Sequence, residues 1–104
     1  MNKLIASLAA TGALAAAVSP ALAATKTVRV SDNKFTAKNI TVKKGTKVTW
    51  KWVGSDSHNV VGKGFRSKLQ NKGTYSHTFN TKGSFRYVCT LHEDKGMIGK
   101  VVVK

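Results

Sequence analysis

The sequence predicts one all-β domain, a sandwich or barrel of about seven short strands. Apolar residues alternate with polar ones in short runs, which is typical of strands buried on one face. Glycines separate these runs every several residues, as turns require, and no window of helical length shows a helical period. The 104 residues suffice for one domain, and the 41% of them that are hydrophobic can supply its core.

Residues 1–23 are predicted to be a secretory signal peptide, which leaves 24–104 as the folded domain. Lys3 precedes an apolar run, Pro20 ends that run, and small residues lead to a cleavage position after Ala23. The alternative is a membrane anchor, but the apolar run is shorter than the roughly 20 residues that a spanning helix needs. We therefore expect export to the periplasm or the cell exterior, with no membrane span in the mature chain.

The predicted strands follow one another along 24–104, and each is identified by apolar residues that share a face. They are Val28 and Val30; Ile40 and Val42; Val48, Trp50 and Trp52; the run 75–79; Phe85, Tyr87 and Cys89; and Val101 and Val103. Trp50 and Trp52 alternate with lysine and threonine. We therefore expect both indoles to point into the core and not to form an exposed platform for stacking nucleic-acid bases.

Metal-binding side chains are concentrated in the nine residues 89–97. This segment holds the single cysteine of the chain, Cys89, together with His92 and Met97, and His58 lies upstream at the end of the tryptophan-bearing strand. A lone cysteine cannot form an internal disulfide. Two histidines, one cysteine and a weak axial methionine are the donors of a blue-copper electron-transfer centre, so the four residues predict a copper site.

Other interpretations of these residues are less favourable. Taken singly, a cysteine or a methionine more often only packs in a core. A catalytic Cys–His pair is an alternative, but nothing in the sequence indicates a substrate pocket. A structural zinc site is weaker still, because zinc rarely takes methionine as a ligand. His77 has no soft donor nearby and is expected not to bind metal.

The chain resembles the cupredoxins, most closely the plastocyanin and pseudoazurin branch. The segments that carry the resemblance are 48–50, 58–60, 83–92 and 96–101. The resemblance implies a Greek-key β-sandwich of seven or eight strands with one type 1 copper. It also implies that His58, Cys89 and His92 are the strong ligands, that Met97 is the long axial ligand, and that Asn59 hydrogen-bonds the backbone beside the thiolate.

The same resemblance implies a small monomeric protein that shuttles single electrons and is not an enzyme. His92 would be the exit of the electron, with Leu91 and Ile98 in an apolar rim around it. A copper-binding or copper-buffering protein of the cell envelope, without a dedicated redox partner, remains the alternative.

Basic residues strongly outnumber acidic ones. The chain has 18 lysines and arginines against 4 aspartates and glutamates, a formal net charge of +14. The electrostatic field of such a charge attracts anionic partners. We therefore expect the partner to be an acidic redox protein or an anionic cell envelope. Export argues against nucleic acid as a partner. The basic segment 63–72 follows His58 closely and is expected to lie near the copper end.

Overall fold

The computed structural model describes residues 24–104 and shows two β-sheets packed face to face. The predicted signal peptide lies outside the described residues. The elements in chain order are β1 (Thr25–Ser31), β2 (Lys34–Thr36), β3 (Asn39–Val42), β4 (Thr46–Trp52), β5 (Val61–Gly62), β6 (Phe65–Arg66), β7 (Thr74–Phe79), β8 (Gly83–Val88), a 3₁₀ turn (Glu93–Lys95) and β9 (Ile98–Val103).

The strands form a five-stranded and a four-stranded sheet. The first has the order β3-β9-β8-β5-β6 and the second the order β2-β1-β4-β7. The pairs β1–β4 and β3–β9 are parallel, and the other pairs are antiparallel. Parallel neighbours require the chain to cross from one sheet to the other, so the predicted Greek-key β-sandwich is confirmed.

The two ends of the sandwich differ and are called here the site pole and the distal pole. At the site pole β4 and β8 end and β9 begins, so this pole carries the segments 53–60 and 89–97. At the distal pole β4 and β8 begin and β9 ends. Backbone hydrogen bonds from Gly45 N–H to the Phe79 carbonyl and from Lys44 N–H to the Lys104 carbonyl bring the segments of the distal pole together.

Trp50 joins the two sheets at the centre of the core. It is fully buried, its ring stacks on Phe65 at 5.8 Å between centroids, and it meets Tyr87 edge-on at 5.2 Å. Trp52 is buried as well. The predicted inward direction of both indoles is therefore confirmed, and neither ring is available for stacking on a base.

Three short strands were not predicted from the sequence pattern: β2, β5 and β6. β5 and β6 have two residues each, too few to show alternation. They form a hairpin in which the Phe65 ring occupies the space that a side chain at Gly62 would fill. In the described part of the chain, no helix is long and apolar enough to cross a membrane.

Candidate metal centre

Three donor groups converge at the site pole, on the side chains of His58, Cys89 and His92. Their ligand atoms all lie within 4.8 Å of one another. The Cys89 Sγ is 3.8 Å from the Nδ1 of His58 and 3.6 Å from the Nδ1 of His92. His58 and Cys89 are 31 residues apart along the chain, and the fold brings both to one point with His92.

These separations fit a metal ion bound by all three atoms. At zinc, bonds to imidazole nitrogen are about 2.0 Å long and bonds to thiolate about 2.3 Å. Across a trigonal angle, bonds of about these lengths place nitrogen and sulfur about 3.7 Å apart. Both observed Sγ–Nδ1 distances lie close to that value. A thiolate with two imidazoles is also the equatorial donor set of blue copper.

The imidazole of His58 is hydrogen-bonded on the side that faces away from Cys89. Its Nε2 lies 3.2 Å from Asp32 Oδ1, so Nε2 carries the proton and donates to the carboxylate while Nδ1 faces Cys89. The His58 carbonyl accepts a hydrogen bond from Trp52 Nε1 at 3.1 Å. The ring is fully buried, and these contacts fix its tautomer and direction before a metal arrives.

Asp32 is tied to the strand connection that leads to His58. Its carboxylate accepts hydrogen bonds from the backbone N–H groups of Ser55 and Asp56 at 2.9–3.2 Å. The bond from Asp56, followed by that from His58, holds the pKa of the Asp32 carboxyl below its ordinary value. Nothing in the sequence singles out this residue, because Asp32 stands in a turn 26 residues before His58 and no motif marks it.

The segment 89–97 folds back on itself through its backbone. His92 N–H donates to the Cys89 carbonyl, and Cys89 N–H in turn donates to the Met97 carbonyl, each at 3.1 Å. Gly96 ends the 3₁₀ turn with φ +85°, a conformation that favours glycine. Cys89 and Met97 are both fully buried, and the backbone bond between them keeps them side by side.

Asn59 braces the cysteine loop from across the site. Its Oδ1 accepts the backbone N–H of Thr90 at 2.8 Å, and its Nδ2 donates to the Thr90 hydroxyl at 3.0 Å. The expected bond to the backbone beside the thiolate is therefore present. It joins the two chain segments that carry His58 and Cys89.

Comparisons with known proteins agree with this donor set. Residues 23–104 match the family described as copper binding proteins of the plastocyanin/azurin family. Amicyanin-alpha of Methylorubrum extorquens is 37% identical over 112 residues, covering 96% of this chain and 92% of its own.

The chain belongs to the plastocyanin/azurin family of copper-binding proteins.

Solved structures support the same assignment. An amicyanin variant in its Cu(I) form is 32% identical with a TM-score of 0.69, covering 77% of this chain and 82% of its own. A purple cupredoxin from Nitrosopumilus maritimus shares the fold at 22% identity, with a TM-score of 0.69, covering 76% of this chain and 99% of its own. Cupredoxins such as amicyanin and plastocyanin are electron carriers that bind one type 1 copper. The predictions of copper and of a protein that is not an enzyme are thus confirmed.

Of the two histidines in the donor cluster, His92 is the one that reaches the surface of this cupredoxin. It is partly exposed, whereas His58 is fully buried. Leu91, at 53% exposed, and Leu69, at 51%, lie at the same pole, since Gln70 pairs with the backbone of His58. Ile98, also expected in the apolar rim, is half-buried at the start of β9.

The structure also locates His77 and the basic segment 63–72. His77 stacks on Phe65 at 5.1 Å and lies outside the described donor cluster, so its expected lack of a metal-binding role stays a prediction. The expectation that the whole segment 63–72 lies near the copper end is wrong. Lys63 stands in the β5–β6 turn, which points along β8 towards Thr81 and Lys82 at the distal pole. The hairpin reverses the chain, so only the later part of the segment returns to His58.

Proposed function

We propose that this cupredoxin shuttles single electrons between redox partners, with His58, Cys89 and His92 as strong copper ligands and Met97 as the axial ligand. The observation that supports the proposal most is the pair of Sγ–Nδ1 distances, 3.6 and 3.8 Å, which fit one trigonal metal ion. Bound copper supplies the Cu(I)/Cu(II) couple. Cys89 is fully buried, which argues against the alternative of a nucleophilic thiol that meets a substrate.

The surrounding residues hold the ligands in one arrangement. Asp32 fixes the His58 ring, Asn59 fixes the backbone after Cys89, and the loop hydrogen bonds hold His92 and Met97. Ligands that are already in place need little rearrangement when the metal changes its charge. A site of this kind suits electron transfer better than storage, for which a fixed geometry offers no advantage.

We propose that partners dock at the site pole around His92. The exposed side chains of Leu91 and Leu69 offer apolar contact beside it. Exposed Lys68 and Lys72 flank the segment that pairs with His58, so an acidic partner would find complementary charge there. The protein would act as a monomer, since the sandwich already covers its core.

We further propose that residues 1–23 are removed on export and that the mature protein works in the periplasm or outside the cell. The composition of this segment supports the proposal. Mass spectrometry of the protein purified from the periplasm or the medium of an expressing cell tests it. An N-terminus at Ala24 is the expected result, and a retained leader would contradict it.

Two measurements on the copper-loaded protein test the function. An intense visible thiolate-to-copper band is expected, because Cys89 and both imidazoles bind the same ion. The rate of electron self-exchange, read from NMR line broadening in mixtures of the two redox states, separates a shuttle from a buffer. Fast exchange supports the shuttle. A colourless copper complex, or exchange too slow to broaden any line, would overturn it in favour of copper buffering.

A further inference from the structure

Charge is divided between the two poles of the molecule. The chain has four acidic residues, and all of them lie at the site pole. They are Asp32, Asp56, Glu93 and Asp94. Asp32 contacts His58, and Glu93 begins the turn directly after His92. Lysines are present at this pole too, so it carries charges of both signs, and four of these lysines are grouped here for comparison. They are Lys34, Lys68, Lys72 and Lys95.

The opposite end carries lysines without aspartates or glutamates. We call six of them the distal lysines: Lys26, Lys43, Lys44, Lys47, Lys63 and Lys82. The backbone brings their segments together, since Lys47 N–H donates to the Ala24 carbonyl and Lys63 lines the same depression as Lys82. All six side chains are exposed, and none is within salt-bridge distance of a described carboxylate. The positive charge of this end is therefore left uncompensated within the described fold.

The distal pole also lacks the apolar groups of a protein interface. Among the described residues, the large exposed hydrophobic side chains are Val53, Leu69 and Leu91, all at or near the site pole. The cores of protein interfaces are depleted in lysine and need apolar contacts. An anionic lipid surface does not need apolar contacts from the protein, because its mobile headgroups adjust to the lysines. Each lysine near such a membrane adds independently to the binding free energy.

The position of the chain start points to the same surface. Ala24, the first described residue, is bonded to Lys47 at the distal pole. It directly follows the segment predicted to enter the membrane during export. A leader that is still attached would place this pole next to the bilayer.

We propose that the distal lysines bind anionic phospholipid headgroups and hold the site pole away from the bilayer. The six residues of β8 span about 20 Å between the poles at the ordinary rise of a strand. A membrane bound at the distal pole therefore leaves His92 and the apolar rim free for a partner. This binding is independent of copper and goes beyond the proposed electron shuttle.

Sedimentation with lipid vesicles tests the proposal. The protein is processed by the expressing cell, stripped of copper, and mixed with vesicles of phosphatidylglycerol and phosphatidylcholine or of phosphatidylcholine alone. Binding is expected only to the anionic vesicles. It should be lost in about 1 M salt, where the screening length falls to about 3 Å. Failure to bind the anionic vesicles, or binding that survives this salt, would overturn the proposal.

Two variants with equal loss of charge locate the binding surface. One replaces Lys43, Lys44, Lys63 and Lys82 by Gln, and the control replaces Lys34, Lys68, Lys72 and Lys95 by Gln. Each lysine at an anionic surface contributes about fivefold in affinity, so the distal variant should bind at least about 100-fold more weakly. The control should lose much less. Equal losses in both variants would mean that net charge alone attracts the protein and would overturn a distal binding surface.

Discussion

Replacing Asn59 by Ala should destabilise the copper-free protein, because the amide joins the two segments that carry His58 and Cys89. The change removes the bond from Thr90 N–H at 2.8 Å and the bond to the Thr90 hydroxyl at 3.0 Å. Hydrogen bonds of this kind contribute about 1 kcal/mol each, so the loss should be about 2 kcal/mol. For a domain of this size that lowers the melting temperature by about 10 °C.

Urea unfolding of the copper-free protein measures this loss directly, since no metal then contributes to stability. Competition with a chelator measures the second effect of the substitution. Residues that orient ligands without touching the metal are typically responsible for about 10- to 100-fold in metal affinity. Asn59→Ala should therefore weaken copper binding by a factor in this range while the visible band persists.

Thr90→Val is the matched control. It removes the hydroxyl and keeps the backbone N–H that donates to Asn59 Oδ1, so it should cost about 1 kcal/mol or less. A free energy of unfolding for Asn59→Ala within about 0.5 kcal/mol of the parent's would refute this role of Asn59, because differences of that size are usual for surface substitutions. An equal cost for Thr90→Val would likewise show that the backbone bond contributes nothing.

Four further predictions concern the candidate copper site. Cys89→Ser should abolish the intense visible band in the absorption spectrum, because a hydroxyl cannot replace the thiolate; a persistent band would remove Cys89 from the ligand set. Met97→Leu should keep copper but raise the reduction potential measured by voltammetry, since the axial sulfur stabilises Cu(II) more than Cu(I); a lower potential would contradict an axial role. Asp32→Asn should also raise the potential, because the carboxylate makes the His58 imidazole a stronger donor to Cu(II), and an unchanged value would limit Asp32 to a structural role. Saturating copper should raise the melting temperature in calorimetry, since the ion binds only the folded arrangement; no shift would argue against ligands already in place.

Much of the sandwich could be predicted, because the alternation of apolar and polar residues along a strand follows directly from the burial of one face. The runs around Val28, Val48 and Val101 each have one buried face, and all three became strands. The pairs of residues in β5 and β6 escaped prediction, because two residues have no period. Their conformation depends on Phe65 packing over Gly62 and against Trp50, which are contacts between separate parts of the chain.

The chemistry of the site can be read from the residue types along the chain. Thiolate, imidazole and thioether are properties of residue types, and the spacing of Cys89, His92 and Met97 confines these donors to one short loop. The tertiary structure alone decided what surrounds them. Asp32 reaches His58 because β1 lies parallel to β4 and ends at the same pole.

The division of charge was also decided by the tertiary structure. Composition reports how many lysines there are, but not which end of a sandwich each turn occupies. Lys63 follows His58 by only five positions, yet the β5–β6 hairpin carries it towards the distal pole. Where the backbone reverses direction, residues that are close in sequence can lie far apart in space. Only the pairing of strands fixes where these reversals occur.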